Sequence, residues 1–191
     1  MTKDKKILGS IFFVGVIIAV LVASFYLTQY VSTDEASQKL IQEFGYLAVL
    51  FISFIAGLNV FLPVPAATFV PIFTAGGMSL PIIILLLIIG TLIADLLSFA
   101  IGHYGKNVVA SHYPKIQSWL TKQFNKHRNY LPYYIFVFAA FVPLPDEIYL
   151  IPLGIIGIRL REIILPLVLG TIVYQTLAAY GIDNIFKFFL V

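Results

Sequence analysis

Long apolar runs alternate with two polar connections along this chain. Residues 7–27 carry no charge over 21 positions, which is long enough for a helix to cross about 30 Å of hydrocarbon. Residues 28–45 and 104–130 are the polar connections, and apolar sequence follows each of them. This pattern predicts a bundle of membrane helices rather than a soluble domain.

Proline pairs interrupt the apolar sequence after each connection. Proline lacks a backbone donor and constrains the residue before it, so a continuous helix cannot pass through such a pair. Non-helical backbone at membrane depth is tolerated only where protein or a wet cavity surrounds it. We therefore expect two broken helical hairpins. Their breaks are assigned to Pro63, Pro65, Pro143, Pro145 and Pro152.

The two hairpins are copies of one pattern. A shift of 80 residues places Pro63-Val-Pro65 under Pro143-Leu-Pro145, and the same shift aligns two further landmarks without a gap. These are Gly77 with Gly157, and Gly90-Thr91 with Gly170-Thr171. The coincidence indicates an internal duplication, with repeat one at residues 46–102 and repeat two at residues 131–180.

Composition bounds the class of protein. The chain is 60% hydrophobic and 11% charged over 191 residues, far more apolar than ordinary soluble domains. We read residues 1–191 as a single membrane domain. Cysteine is absent, the three histidines are scattered, and no phosphate loop or nucleophile elbow occurs. We expect no metal, no cofactor, no nucleic-acid partner and no enzymatic activity.

Cationic residues orient the chain in the membrane. Lys3, Lys5 and Lys6 precede the first span, and residues 104–130 carry five cations and no carboxylate. Cytoplasmic segments carry such an excess, so both should lie inside the cell. Apolar and basic positions alternate there at helical spacing, which predicts an amphipathic helix on anionic lipid headgroups at the inner interface. The alternative is a basic loop packed on the protein.

The charge distribution also predicts how the repeats cross. All cationic clusters share one face if each hairpin re-enters, leaving full crossings at residues 7–27, 81–102 and 163–180. The expected fold is an all-α integral membrane protein with about three spanning helices. Two re-entrant hairpins then form an inverted repeat, an architecture common in transporters. Residues 46–62 are nearly long enough to cross, which leaves the alternative of a fourth span open.

Buried carboxylates are the candidates for function. Asp146 and Glu147 follow the second proline pair, and Asp95 lies inside the span at residues 81–102. A charge at the bilayer centre costs about 2.5–3.5 kcal/mol, so these groups need partners, protons or water. In the alternative, Asp146 and Glu147 cap the next helix or pair with Arg159 and Arg161. Asp95 could equally bond free backbone donors of a broken hairpin.

Several motifs together resemble the DedA family of VTT-domain, or SNARE-associated, membrane proteins. They are Pro63-Val-Pro65 after an apolar helix, Phe141-Val-Pro143, and the segment from Gly90 through Asp95 to Gly105. The last is close to the family's G-x-x-x-G-D-x-x-x-Y-x-x-G-R-x-x-G, with Ala94, Phe99 and His103 at three of its positions. The resemblance covers about residues 46–181.

The resemblance implies movement of a phospholipid or polyprenyl-phosphate lipid between leaflets, in some members linked to protons. In place of the family's acidic residues, the first hairpin here carries Asn59, Ala66 and Ala67. Where the second hairpin of the family has arginines, this chain has Ala140 and Asp146. The carboxylates have thus moved to the second hairpin. Asn59 joins Asp95, Asp146 and Glu147 as a candidate substrate-binding residue.

Two other functions remain open from the sequence. One is a proton- or cation-coupled secondary transporter of a small solute, and the other is a non-transporting membrane scaffold. Each is compatible with a multi-pass protein in the plasma membrane of a prokaryote, with a cytoplasmic N-terminus. Membrane lipids are the expected partners, and self-association stays open.

Overall fold

The computed structural model describes residues 3–58, 65–142 and 144–190 of the chain. Within these ranges, the side chains of residues 3–14, 17, 125 and 190 are not described. Helices make up this part, with no strand in it. They are α1 Lys3–Thr33, α2 Glu35–Gly57, α3 Val70–Ala75, α4 Leu80–His112, α5 Pro114–Lys126, α6 Leu131–Phe141, α7 Glu147–Ile155 and α8 Leu160–Leu190.

The first polar connection is mostly helical. Only Asp34 interrupts the path from α1 to α2, and its carboxylate accepts a hydrogen bond from the Ser37 backbone N–H at 2.8 Å. The segment Ser32-Thr-Asp-Glu35 has the spacing of a capping box that would open a short helix. Instead Asp34 is the N-cap, and the helix it opens runs 23 residues into the apolar segment. Polar residues outside hydrocarbon are compatible with a helix, so they do not end one.

Two long helices, α4 and α8, form the centre of the bundle. Helix α2 packs along α4, and α6 packs along α8, so each repeat contains one pair of packed helices. The short helices cross to the other repeat: α7 packs against α4, while α3 packs against α8 and α1. Each short helix therefore contacts a long helix of the other repeat, while its buried residues join the core cluster of its own repeat.

The same turn ends the short helix of both hairpins. Gly77 and Gly157 adopt positive φ angles of 86° and 77°. In each turn the next residue donates its N–H to a carbonyl five positions back, Met78 to Phe73 and Ile158 to Leu153. This is a Schellman motif, which glycine permits because it has no Cβ. The glycine correspondence over 80 residues therefore has a structural basis.

Three boundaries differ from the sequence expectation. Helix α4 continues past residue 102 to His112, so the basic segment begins as part of a membrane helix. Helix α8 continues past residue 180 to Leu190. Pro152 lies inside α7 rather than at a break. A proline removes one backbone hydrogen bond, and α7 forms around that loss.

Three described helices are long and apolar enough to cross a membrane: Glu35–Gly57, Leu80–His112 and Leu160–Phe189. The fold class predicted from the sequence, an all-α membrane protein, is confirmed. Helix α2 has the length of a span, so re-entry of the first hairpin stays a prediction. The span predicted at residues 7–27 lies within α1, whose side chains are described only in its C-terminal part.

Candidate functional site

A cavity of about 120 Å³ lies between the two hairpins. Pro65 of the first hairpin and Pro145 of the second both line it, so the breaks face one space. Each proline also accepts a backbone hydrogen bond that starts the next element, from Thr68 at 3.0 Å and from Ile148 at 3.2 Å. Pro65 and Pro145 thus each begin the element that follows and face the space between the hairpins.

Polar side chains from α4 and α8 line the same cavity. Thr91 on α4 meets Gln175 on α8, whose Nε2 donates a hydrogen bond of 2.8 Å to the Thr91 hydroxyl. Thr171 lies one turn before Gln175 and donates its hydroxyl to the Leu167 carbonyl. These contacts form a polar layer between two helices whose other buried residues are largely apolar.

Asp95 is the acidic member of this layer. It is 1% exposed and lies one turn after Thr91 on α4. A shift of 80 residues aligns Asp95 with Gln175, and both lie near the middle of their long helices. The two repeats therefore place one polar residue each at equivalent depth. Repeat one supplies the carboxyl group of Asp95, and repeat two supplies the amide of Gln175.

Several oxygen atoms in this region are buried without a hydrogen-bond partner. Among the described residues they include Asp95 Oδ2, both carboxylate oxygens of Glu147, Gln175 Oε1 and the Tyr149 hydroxyl. Buried polar atoms are almost always bonded to protein, water or a ligand. Apart from the tyrosine hydroxyl, these oxygens accept hydrogen bonds, and a carboxylate among them can donate one only when it is protonated. The site is therefore suited to water or to a ligand that donates hydrogen bonds.

The second hairpin carries the remaining acids. Asp146 lines the cavity, and Tyr149 and Tyr174 lie within its electrostatic reach, as does Asp95. Asp146 is the N-cap of α7 by position, but its side chain makes no capping hydrogen bond. The side chain of Asp146 therefore does not cap α7, in contrast to the alternative considered from the sequence.

Arg159 and Arg161 do not pair with these acids in the described part of the chain. Both are exposed at the start of α8. Glu147 is the first residue of the nine-residue α7 and both arginines follow the end of that helix, so a rise of about 12 Å separates them from Glu147. Arg128 instead pairs with Glu162 at 3.0 Å, tying the segment before α6 to α8.

Glycines bring the acids of the two repeats together. A Cβ at Gly102 would meet the Ile151 backbone, and one at Gly154 would meet the backbone of Phe99 and His103. Helices α4 and α7 therefore touch backbone to backbone. Because this contact lies within α7, one to two turns after Glu147, it fixes the start of that helix relative to α4, which carries Asp95.

The structure can be compared with the candidates one by one. Asp146 lines the cavity, and Asp95 lies within electrostatic reach of both Asp146 and Glu147. Asn59, Pro63 and Pro143 lie outside the described residues. The sequence reading missed Gln175 and Tyr149. Extending the 80-residue alignment from Gly170-Thr171 would have found Gln175 opposite Asp95, whereas Tyr149 gave no such signal. No group of three or more metal-ligating side chains occurs among the described residues.

The fold and this site define a multi-pass, all-helical membrane protein with a polar cavity between two broken hairpins. The VTT domain family model matches residues 64–184. The chain thus belongs to the VTT-domain family, that of the DedA and SNARE-associated membrane proteins. Comparisons with curated proteins and with solved structures found no match. The family match covers both hairpins from Pro65 onward, together with α4 and most of α8.

Proposed function

We propose that this protein moves a membrane lipid between leaflets, in the manner of a scramblase or flippase. The observation that carries the proposal is the cavity between the two hairpins, with its partnerless buried oxygens. Membership of a membrane family generally related to transport supports the same direction.

The physical barrier to leaflet exchange is the passage of a polar headgroup through about 30 Å of hydrocarbon. Two broken hairpins shorten that path because their ends bring polar backbone and carboxylates to the middle of the bundle. Acyl chains can stay in the bilayer while the headgroup passes. A cavity of about 120 Å³ therefore does not need to enclose a whole lipid.

The chemistry of the site indicates which headgroups fit. No lysine or arginine lines the cavity within the described residues, whereas Asp146 and Gln175 do. Acceptor oxygens need donors, so a cationic or hydroxylated part of a headgroup is the better ligand. A phosphate monoester alone would face Asp95, Asp146 and Glu147 without a cation. This separates the chain from relatives expected to bind polyprenyl phosphate.

A second candidate is a proton- or cation-coupled carrier of a small solute. The observation that favours it is the small size of the cavity beside three carboxylates. The two functions differ in what crosses. A carrier accumulates solute only when a gradient is imposed, whereas a scramblase equilibrates labelled lipid without one.

The test is leaflet exchange of fluorescent phospholipid in proteoliposomes, read by the fraction that a membrane-impermeant reductant can bleach. The change is Asp146→Asn with Glu147→Gln, which removes two charges and keeps the side-chain shape. We expect exchange to slow by roughly tenfold or more, and its pH dependence to flatten if a carboxylate proton takes part.

The matched control is Glu35→Gln with Glu43→Gln, which removes two exposed carboxylates from α2. It should move lipid at the parent rate. Equal rates in the parent and in the Asp146/Glu147 variant would show that these acids are structural. Gradient-driven solute uptake without lipid exchange would transfer the proposal to the second candidate.

We further propose the orientation and location expected from the charges: a prokaryotic plasma membrane, with the N-terminus and α5 on the cytoplasmic face. Helix α5 leaves Ile116 and Trp119 exposed beside Lys115 and Lys122, which suits binding to anionic headgroups. Single cysteines near Ser10 and at Ser118 should react with an impermeant thiol reagent from one side. Reaction from opposite sides would exclude the re-entrant arrangement.

A further inference from the structure

A second cavity lies away from the hairpin breaks, between α1, α3 and α8. Its volume is about 380 Å³, larger than the central cavity. Asp183 and Lys187 on α8 line it, eight and twelve residues after Gln175. At about 1.5 Å per residue, it lies roughly 12–18 Å along α8 from the polar layer. It therefore belongs to a different depth in the membrane, near the end of α8.

An ion pair between a buried aspartate and an exposed lysine forms one wall of this second cavity. The Asp183 side chain is 3% exposed and lies 2.6 Å from the Lys187 ammonium, whose side chain is 66% exposed. The Thr74 hydroxyl on α3 donates a further hydrogen bond of 3.0 Å to Asp183. The carboxylate is thus fixed from two helices, while the lysine remains accessible.

Hydroxyl oxygens form the facing wall. Thr28 and Ser32 on α1 donate their hydroxyl protons to carbonyls of their own helix, at 2.7 and 2.8 Å. Their oxygens can then only accept from a ligand in the cavity. The lining thus offers acceptors from α1 and Asp183, and one cationic donor, Lys187. Phe186 and Met78 add an apolar wall.

The other repeat has no equivalent contact. A shift of 80 residues replaces Asp183 by His103, Lys187 by Asn107 and Thr74 by Gly154. There, Gly154 lets α7 touch the α4 backbone at His103. Here, the Thr74 side chain stands between α3 and α8 and hydrogen-bonds Asp183. The fold therefore does not require the second cavity, and its polar lining from α1, α3 and α8 is not repeated at the equivalent positions.

We propose that this second cavity binds a zwitterionic headgroup that carries a primary ammonium and a phosphodiester, such as that of an aminophospholipid. The ammonium would donate to Asp183 and to the oxygens of Thr28 and Ser32, and the phosphate would accept from Lys187. Such a ligand adds opposite charges beside an existing ion pair, so no charge is left unpaired. A quaternary ammonium has no proton to donate and is a poorer ligand.

The test is native mass spectrometry of the purified full chain with three lipids of equal chain length. They carry phosphoethanolamine, phosphocholine or phosphoglycerol headgroups. We expect preferential retention of the phosphoethanolamine lipid by the parent, by roughly tenfold over phosphocholine, the ratio provided by one charge-assisted hydrogen bond. Lys187→Gln removes the donor to the phosphate, which both zwitterionic lipids carry, so retention of both should fall, and because Lys187 is exposed the variant should fold. Asp183→Asn removes the charged acceptor for the ammonium and should abolish the preference.

The matched control is Lys39→Gln, an exposed lysine of α2, which should keep both the retention and the preference. Equal retention of the phosphoethanolamine and phosphocholine lipids by the parent overturns the proposal, as does unchanged retention by Lys187→Gln or a preference that survives Asp183→Asn. Soluble phosphoethanolamine competing as well as the lipid would assign the site to a free metabolite of the same chemistry. This assay measures lipid binding and not lipid transport. Its result can therefore be interpreted even if the protein does not exchange lipid between leaflets.

Discussion

The two hairpins share a backbone plan and differ in what holds them. In the first hairpin, α1 covers the short arm. The Ser24 hydroxyl donates a hydrogen bond of 2.8 Å to the Thr68 carbonyl in the 3-10 turn at Ala66–Phe69. In the second, α7 is held by glycine contacts with α4. The first arm is thus fixed by a side chain from outside the repeats, and the second by backbone contact between them.

Their chemistry differs at equivalent positions. Ala66 and Ala67 begin the first arm, at 6% and 0% exposure, where Asp146 and Glu147 begin the second. Both methyl groups join a hydrophobic cluster, whereas Asp146 brings a carboxylate to the cavity that Ala66 also lines, and both Glu147 oxygens lack partners. One duplicated element can therefore serve packing in one copy and polar chemistry in the other. Four predictions test that contrast, starting with the largest expected effect.

Placing an acid on the first hairpin should be the most damaging change. Ala67→Glu adds both volume and charge at a position without accessible surface. We expect a loss of about 4 kcal/mol or more in stability, because no cavity or donor receives the carboxylate. Thermal unfolding in detergent, followed by size exclusion, measures it. A fully stable variant would show that the first arm is as adaptable as the second.

Closing the contact that holds the second hairpin should come next. Gly102→Ala directs a methyl group at the Ile151 backbone. Overpacking of this kind should cost about 3 kcal/mol and also displace Asp146 from Asp95.

Gly105→Ala is the matched control on the same helix, because nothing lies within 4 Å of its added Cβ. That variant should be neutral or slightly stabilised, since alanine favours helix. If both variants have the same melting temperature, close approach at Gly102 is not what positions α7.

The polar layer provides a finer comparison. Gln175→Leu removes the hydrogen bond to Thr91 and one partnerless oxygen, so stability should change by about 1 kcal/mol at most. Lipid exchange should nevertheless slow if the layer contacts the headgroup. Gln123→Leu, at an exposed position of α5, serves as control. If Gln175→Leu changes neither the rate of lipid exchange nor the stability, Gln175 has no role in either.

The smallest effect concerns the start of α2. Hydrogen bonds from Ser37 hold the pKa of Asp34 below its ordinary value of 3.8. A carboxylate whose pKa is lower in the folded state stabilises the fold at pH values above its ordinary pKa. That stabilisation is lost as the pH falls through the folded-state pKa. Asp34→Ala should therefore lower the melting temperature slightly at pH 7 and not at pH 2. A difference that persists at pH 2 would point to a cause other than the charge.

The sequence predicted the helices and breaks because both depend on local chemistry. Apolar length and proline pairs act within a few residues of themselves, and so does the glycine turn at Gly77 and Gly157. Tertiary partners are not local, and they decided the rest. Nothing near Gln175 in the chain shows that it faces Thr91, and nothing near Arg159 shows that it points away from Glu147. The 80-residue alignment is the one long-range signal that the chain itself contains.

Helix lengths set against membrane thickness give a last consequence of the glycine contacts. Helices α4 and α8, with 33 and 31 residues, are about 50 and 46 Å long, whereas hydrocarbon is about 30 Å thick. Backbones in contact at Gly102 and Gly154 cannot slide as bulky side chains can, so the crossing of α4 and α7 resists adjustment. The polar ends of both helices, with Lys106 on α4 and Asp183 on α8, extend beyond the hydrocarbon. A change in bilayer thickness must then be met by tilting α4 and α7 as one body or by deforming the surrounding bilayer.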